Sequence, residues 1–567
     1  MNRNFLTALS FAFIAFSFVH AQPEKPGINN EHVQLHINTD FLLTGETLYY
    51  SIHCFGADAT KYSTLSKLAY VELIGENEKP HLQNKIPLSE GRGAGDFFLP
   101  STLPSGNYTL IGYTKWMRNF PYEYFFQRQI TIINPYVKSL VSTPQGKIDK
   151  PITVTNSSNQ VPRKESSQVQ LNFDKKKYTT RQKVLVTIKN NDPLHDCKIS
   201  LSVHSDPALT TLTSSQLYSG TALKKESISL LPDLRGETIT GVVKETGSGK
   251  IVPNATVYLS VPGISYIFQI SRTDSVGRFI FSTKNIHTQD GLQFQVDHTA
   301  SVDITLEDEF VNDYKKFRPL PLSIDTSMRK QIEQRNLYSQ IENAYFINKQ
   351  DSILAMPASQ FFQAPDKVYN LDDFTRFPTM EDIFREYMYE VVVSKRDGKF
   401  LLRLINSTTK NGARFTNSPL MVMDGIPIFD TDVLMSYNPL LIKTVSIVTR
   451  PYVFAGTLYD GILAINTYLG SAKELGMRPI RKEYTSWQHH KKYFSPAYTS
   501  TESLARLPDY RIQLSWIPIL NIAPGQEVVV EFYTSDVEGK FSLDVKGFNS
   551  QGETINITQP FEVQKQH

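Results

Sequence analysis

The stretch from Pro419 to Thr467 constrains this chain most. It reads as three short strands with tight punctuation. An apolar run from Leu420 to Met423 stops at Asp424-Gly425, a strong turn dipeptide. From Leu441 to Thr449 β-branched residues dominate, and Val445, Ile447 and Thr449 fall on one side of an extended strand. Gly461 to Thr467 forms the third strand, with Ile462, Ala464 and Asn466 opposed to Leu463, Ile465 and Thr467. Between the last two lies PYVFAGTLYDG, where Gly456 and Gly461 allow the backbone to turn tightly.

Order, spacing and residue types here resemble the plug domain of TonB-dependent outer-membrane receptors. In that family an apolar strand ends in V-D-G-x-P, a second strand and a glycine-containing turn follow, and the pattern closes on n-G-v-i-x-i-x-t. The likeness covers about the last half of such a domain. A receptor then continues into a barrel of many amphipathic strands, several hundred residues long. The 567-residue chain leaves only about a hundred residues after Thr467, so the resemblance implies a plug-like fold without its pore.

Short apolar segments, with 28 Tyr and 34 Phe, favour strands over long helices. A net charge of +3 is nearly neutral for this length and argues against a general nucleic-acid binder. At the N-terminus Arg3, the apolar run Phe5 to Val19 and the small-residue site Val19-His20-Ala21 read as a signal peptide over 1–21, cleaved before Gln22. No cysteine follows it to carry a lipid. No later stretch approaches the roughly 20 apolar residues of a membrane-spanning helix. The expectation is an exported protein, either soluble or held at a membrane by partners. Cys54 and Cys197 fall in different expected domains, which leaves both a disulfide and two buried thiols open.

In chain order, residues 30–136 read as a β-sandwich. Val33, Leu35 and Ile37 alternate with polar neighbours, Gly91-Arg92-Gly93-Ala94-Gly95 reads as a flexible turn, and Pro104-Ser105-Gly106-Asn107 turns into Tyr108 to Tyr113. The segment SGNYTLIGYT resembles a macroglobulin-type domain of the α2-macroglobulin superfamily. Residues 137–167, rich in Ser, Thr, Asn, Gln and Pro, read as a linker. Residues 168–232 resemble a second macroglobulin-like segment, carried by Leu171-Asn-Phe-Asp174, Tyr178 and Lys198 to His204. A Cys-Gly-Glu-Gln run is absent, so the resemblance does not extend to a reactive thioester. Residues 236–310 carry Ile239-Thr-Gly-Val-Val243, Pro253-Asn-Ala-Thr-Val-Tyr-Leu259 and Thr273-Asp-Ser-Val-Gly277-Arg-Phe-Ile-Phe281. Those three motifs in order resemble the carboxypeptidase regulatory-like, transthyretin-like sandwich. In starch-utilisation receptors that sandwich directly precedes the plug.

Residues 324–348 show helical spacing at Met328, Ile332, Arg335, Tyr338, Ile341 and Tyr345, and read as a connector. The plug-like domain spans 366–470, and Thr379 is placed to cap a short helix in it. Residues 471–505 are basic and aromatic, with Arg478, Arg481, Lys482, Trp487, His489, His490, Lys491, Lys492 and Tyr493. They read as a linker, or as a docking arm. Residues 509–567 alternate as a C-terminal β-sandwich. The fold class is therefore mainly β: tandem sandwiches, an α+β plug-like domain and a C-terminal sandwich.

No zinc-protease, nucleophile-elbow, phosphate-loop or dinucleotide motif occurs. Asp430-Thr-Asp432 lacks the spacing of a calcium loop and reads as a helix cap. No catalytic residue, cofactor or metal is expected. The first functional reading is a non-catalytic subunit of an outer-membrane assembly, in TonB-dependent transport or protein secretion, that docks to or occludes a β-barrel partner. Tyr452, Val453, Phe454, Leu458 and Tyr459 are its candidate contact residues, because apolar and aromatic loop residues form interface cores. The alternative is a periplasmic or surface macroglobulin-like protein that binds protein or glycan. A hydrolase with an unrecognised site is the third reading.

Overall fold

Period-two alternation without long apolar runs gives a chain that is mainly strand. The computed structural model describes residues 30–57, 60–137, 168–206, 228–322, 328–345, 350–354, 361–362, 364–471, 479–498 and 507–565. The expected signal peptide lies outside these residues, as do Arg478 and, except for Val137, the expected linker at 137–167.

The first sandwich packs two sheets face to face. One orders the strands His32–Ile37, Thr47–Phe55 and Arg92–Phe98. The other orders Phe41–Leu43, Phe126–Ile133, Gly106–Tyr113, Leu68–Ile74 and Pro80–Pro87. The glycine-rich run expected to be a turn lies mostly within Arg92–Phe98, and this is a correction. Its cause is crowding. A Cβ on Gly93 would meet the Pro87 carbonyl at 2.7 Å, and one on Gly95 would meet the Tyr50 hydroxyl at 2.6 Å. Glycine here lets another strand and a buried ring approach the backbone.

Residues 168–206 and 507–565 make a single sandwich, which corrects their division into two domains. One sheet orders Lys177–Thr179, Thr554–Gln564, Gly539–Asn549, Cys197–Ser205 and Gln513–Ile522. The other orders Glu527–Tyr533, Lys183–Asn190 and Val169–Phe173. The C-terminal segment is sandwich-forming, as its alternation requires, but each segment's inward residues need the other to cover them. Val184, Val186, Ile199 and Leu201 share a core with Phe532, Phe541, Leu543 and Val545.

The middle sandwich pairs Glu237–Glu245 with Arg278–Thr283 and Val302–Leu306 in one sheet. Its second sheet orders Ile267–Arg272, Thr256–Val261, Leu292–Asp297 and Ile480–Lys482. The last strand comes from the expected basic linker. Instead of crossing solvent, residues 479–498 strap across the molecule: Trp487 is 4% exposed, and Lys491–Lys492 pairs with Ser352–Ile353. The core of the first sandwich runs without a break into that of the middle sandwich.

The α+β unit, residues 364–471, has a sheet ordered Lys367–Asn370, Ile442–Val448, Ile462–Thr467, Leu420–Met423 and Ile426–Ile428. Both faces of the central strand Ile462–Thr467 are covered. Leu463 and Ile465 face the unit's own core with Val445 and Ile447, whereas Ile462 and Ala464 join Val422, Val448 and the middle sandwich's Tyr258 and Phe268. The strands Val391–Arg396 and Lys399–Leu404 form a separate two-stranded hairpin outside this sheet. Asp397 and Gly398, both at positive φ, make its two-residue turn.

The described residues include three α-helices: α1 (Arg329–Ala344), α2 (Met380–Tyr387) and α3 (Thr431–Met435). Thr379 caps α2 by accepting from the Asp382 N–H at 3.2 Å, and Asp430 caps α3 by accepting from the Asp432 N–H at 3.0 Å. Helix α1 bridges two sandwiches. Met328, just before it, and Ile332 pack on Phe41, Leu43 and Ile133, and Tyr338 stacks on Tyr510 with centroids 5.1 Å apart.

Candidate binding site

The five sequence-derived contact residues lie on one hairpin, Tyr452–Phe454 paired with Thr457–Tyr459. A two-residue turn through Ala455 and Gly456, both at positive φ, joins the strands. Because side chains alternate across a strand, the hairpin has two unlike faces. Tyr452, Phe454 and Tyr459 turn inward onto the middle sandwich's aromatic cluster. Phe454 lies 6.0 Å from Phe268, ring to ring, and the Tyr452 hydroxyl donates to the Phe361 carbonyl at 3.1 Å. Only the cross-strand pair Val453 and Leu458 faces outward, 67% and 64% exposed.

A concavity lies elsewhere, where the first sandwich, the composite sandwich, α1 and the strap meet. It encloses about 300 Å³, at the lower end of the volumes of ligand pockets. Aromatic rings line it: Tyr49 and Phe98 from the first sandwich, Tyr338 from α1, Phe494 from the strap and Tyr510. The polar side chains between them hold the walls in place. Arg335 of α1 grips Glu46 with two hydrogen bonds, 2.7 and 2.8 Å, and also donates to the Phe41 carbonyl at 3.0 Å. Asn343 donates to the Gly45 carbonyl at 3.0 Å, and Gly45 sits at φ +92°, where a Cβ would strike that amide at 2.9 Å.

The strap closes the far side. Lys491 donates to both oxygens of Asp96 at 2.9 Å, and Gln488 reaches the same carboxylate at 2.9 Å. Tyr493 meets Tyr49 edge to face at 5.0 Å. Below, Arg511 pairs with Asp509 at 2.8 Å, and the Glu342 carboxylate accepts the Tyr510 N–H at 2.6 Å. Asp351 is different. Its Oδ1 accepts the Phe494 N–H at 2.8 Å, and burial raises its pKa against the opposing pull of that N–H and of Lys491.

No sequence pattern marks this cleft. Asn38 and Gln513, which hydrogen-bond at 3.3 Å, are 475 positions apart. The basic segment around Lys491 was a signal of a kind, but Lys482 and Lys491 are paired within the molecule, with Asp303 and Asp96.

Other titratable groups are structural. Lys85, fully buried between the first and middle sandwiches, pairs with Glu237 at 2.6 Å and Glu309 at 2.8 Å. The Tyr484 ring covers its ammonium at 3.7 Å, and the Trp487 indole N–H donates to Glu237 at 2.7 Å. Cys54 and Cys197 are both buried free thiols, and burial pushes the Cys197 pKa up to about 12. His489 stacks on His287 at 3.8 Å. Among the described residues, no group of three His, Cys, Asp or Glu side chains is placed to hold a metal ion.

No family model matches the chain, and no curated protein matches its sequence. Among solved structures, Salmonella α2-macroglobulin reacted with methylamine aligns at 8% identity and a TM-score of 0.24, over 94% of this chain and 39% of that one. Escherichia coli α2-macroglobulin activated by porcine elastase aligns at 8% identity and 0.25, over 94% and 44%. The CARDB domain of the PF1109 protein from Pyrococcus furiosus aligns at 9% identity and 0.15, over 19% and 96%. This chain spans 39–44% of the length of the two macroglobulins, and likeness at these scores carries no argument about its activity.

Proposed function

We propose that this chain is an exported, non-catalytic binding protein that holds a segment of another protein, or a glycan, in the cleft between its first and composite sandwiches. The observation that carries this reading is the cleft itself. Parts of the chain as far as 475 positions apart build a concavity lined by aromatic rings and held by ion pairs. Such preorganisation lowers the entropy lost on binding. The expected signal peptide and the macroglobulin-like motifs accord with it. So does the chemistry of the lining, whose cations are committed to structural pairs rather than poised for proton transfer.

The second reading, docking to an outer-membrane barrel through the plug-like unit, is favoured by one observation: the exposed pair Val453 and Leu458. Against it, one face of that unit's sheet and three of the five hairpin residues are already covered by the middle sandwich. Photo-cross-linking in the native host separates the two readings. A benzophenone side chain replaces Phe98, which is 49% exposed at the cleft, and in a second strain replaces Val453. The cleft reading expects a discrete adduct from position 98. An adduct with an outer-membrane barrel from position 453, and none from position 98, would transfer the function to the plug-like unit.

A further inference from the structure

Resting on the reading of the cleft as a binding site, we infer that it takes a peptide through a cationic side chain, an alkylammonium or guanidinium, seated against Asp351. The inference follows from which groups in the cleft are already spent. Its three Lys and Arg side chains are each committed: Arg335 to Glu46 at 2.7 Å, Lys491 to Asp96 at 2.9 Å and Arg511 to Asp509 at 2.8 Å. The amide donors are spent too. Asn38 gives its hydrogens to the Thr47 carbonyl and to Gln513, both at 3.3 Å, and Gln513 donates to the Ser515 carbonyl at 2.8 Å.

Asp351 remains. Its one hydrogen bond among the described residues is from the Phe494 N–H, and no described cation forms an ion pair with it. Lys491, whose field it feels, already grips both oxygens of Asp96. A carboxylate drawn partly out of water, with no ion pair among the described residues, gains from an arriving cation. Tyr49, Tyr338 and Tyr510 also line the cleft, and aromatic rings attract cations. A sugar needs free donors as well as acceptors, and here the amide donors are used. A free acceptor among aromatic rings suits a ligand group that only donates, as ammonium and guanidinium do. The volume of about 300 Å³ fits one long side chain.

The test is titration calorimetry on the full chain with three probes: acetyl-Gly-Ala-Lys-Ala-Gly-amide, the same peptide with norleucine for lysine, and maltotriose. The expected result is binding of the lysine peptide, with the norleucine peptide weaker by about tenfold or more, a single ion pair's worth. Asp351→Asn keeps an acceptor for the Phe494 N–H, so it should retain the wild-type melting temperature and lose affinity by a similar factor. The norleucine comparison needs no variant and probes the same ion pair in the wild type. Equal binding of the two peptides, unchanged affinity in Asp351→Asn, or no heat from the lysine peptide at millimolar concentration would each overturn the inference. If maltotriose binds, or position 98 still cross-links while the lysine peptide does not bind, the cation assignment falls and the cleft reading stands. Loss of the position-98 adduct removes both.

Discussion

At the scale of single residues, two glycines with similar dihedral angles have different reasons to be glycine. Gly456 has φ +77° and nothing within 4 Å of where a Cβ would stand. Gly461 has φ +89°, and a Cβ there would meet the Val448 carbonyl at 2.4 Å and the Leu404 side chain at 2.7 Å. Positive φ alone gives a substitution cost of roughly 1–3 kcal/mol at either site. At Gly461 the clash adds to it, because a backbone carbonyl in a central sheet cannot move aside. Gly461→Val should therefore lower the denaturation midpoint clearly more than Gly456→Val. Equal losses would mean that dihedral strain, not crowding, sets both costs.

Asp233 gives a pH signature at the same scale. It is fully buried beside Tyr70, whose hydroxyl donates to it at 3.0 Å, and it accepts the Thr238 N–H at 2.7 Å. Burial is the main cause that raises its pKa to about 7; Glu237 adds to the rise, while Lys115 and the two hydrogen bonds oppose it. The folded protein thus keeps a proton that the unfolded chain releases near its ordinary carboxyl pKa. That contribution to stability is fully present below about pH 4 and is lost as pH rises through about 7. Asp233→Asn resembles the protonated acid and cannot titrate. Denaturation at pH 5 and pH 7.5 should show the variant gaining on the wild type at the higher pH, by about 2–4 kcal/mol over the whole window. A difference that does not change with pH would show that Asp233 keeps an ordinary pKa.

At the scale of elements, local chemistry was legible and remote pairing was not. Thr379 and Asp430 cap α2 and α3 because a cap depends only on a side chain and an N–H two or three positions ahead. The turn at Asp424-Gly425 has both residues at positive φ for the same local reason. The spacing of α1 correctly marks Met328, Ile332, Arg335 and Tyr338 as one contacting stripe, but what they contact is set by the whole fold. The basic strap misled for a physical reason. Lys, Arg and His are usually solvated, yet Lys491 is held by Asp96, nearly 400 positions away, and Trp487 is buried against Glu237. The glycine-rich strand Arg92–Phe98 misled in the opposite sense. Its glycines serve close packing, which sequence alone cannot distinguish from flexibility. The hairpin residues were found, but which of them face out depends on Tyr258, Phe268 and Phe361, far away in sequence.

At the scale of the whole molecule, the composite sandwich makes residues 168–206 depend on the last part of the chain. Alternation shows only that each segment needs a covering layer; it does not show who supplies it. Here Cys197–Ser205 is flanked on both edges by C-terminal strands, Gln513–Ile522 and Gly539–Asn549, and Lys183–Asn190 pairs with Glu527–Tyr533 along seven residues. The Arg181 guanidinium locks the two segments together through Asp536, at 2.6 and 2.7 Å. A chain ending at residue 506 would uncover Val184, Val186, Ile188, Ile199, Leu201 and Val203 at once. Burying such a side chain contributes roughly 1.5–3 kcal/mol, so six together match or exceed the 5–15 kcal/mol that holds a typical domain folded. The truncated protein should be cut rapidly by a non-specific protease between residues 168 and 206, while residues 30–137 stay protected. Their sandwich shares its core with the middle sandwich and takes no strand from the C-terminal segment. Adding residues 507–567 as a separate peptide should restore protection of 168–206. If the truncated chain instead keeps 168–206 intact without that peptide, the two segments are independent sandwiches, as the alternation alone suggests, and the walls of the cleft are not coupled through the end of the chain.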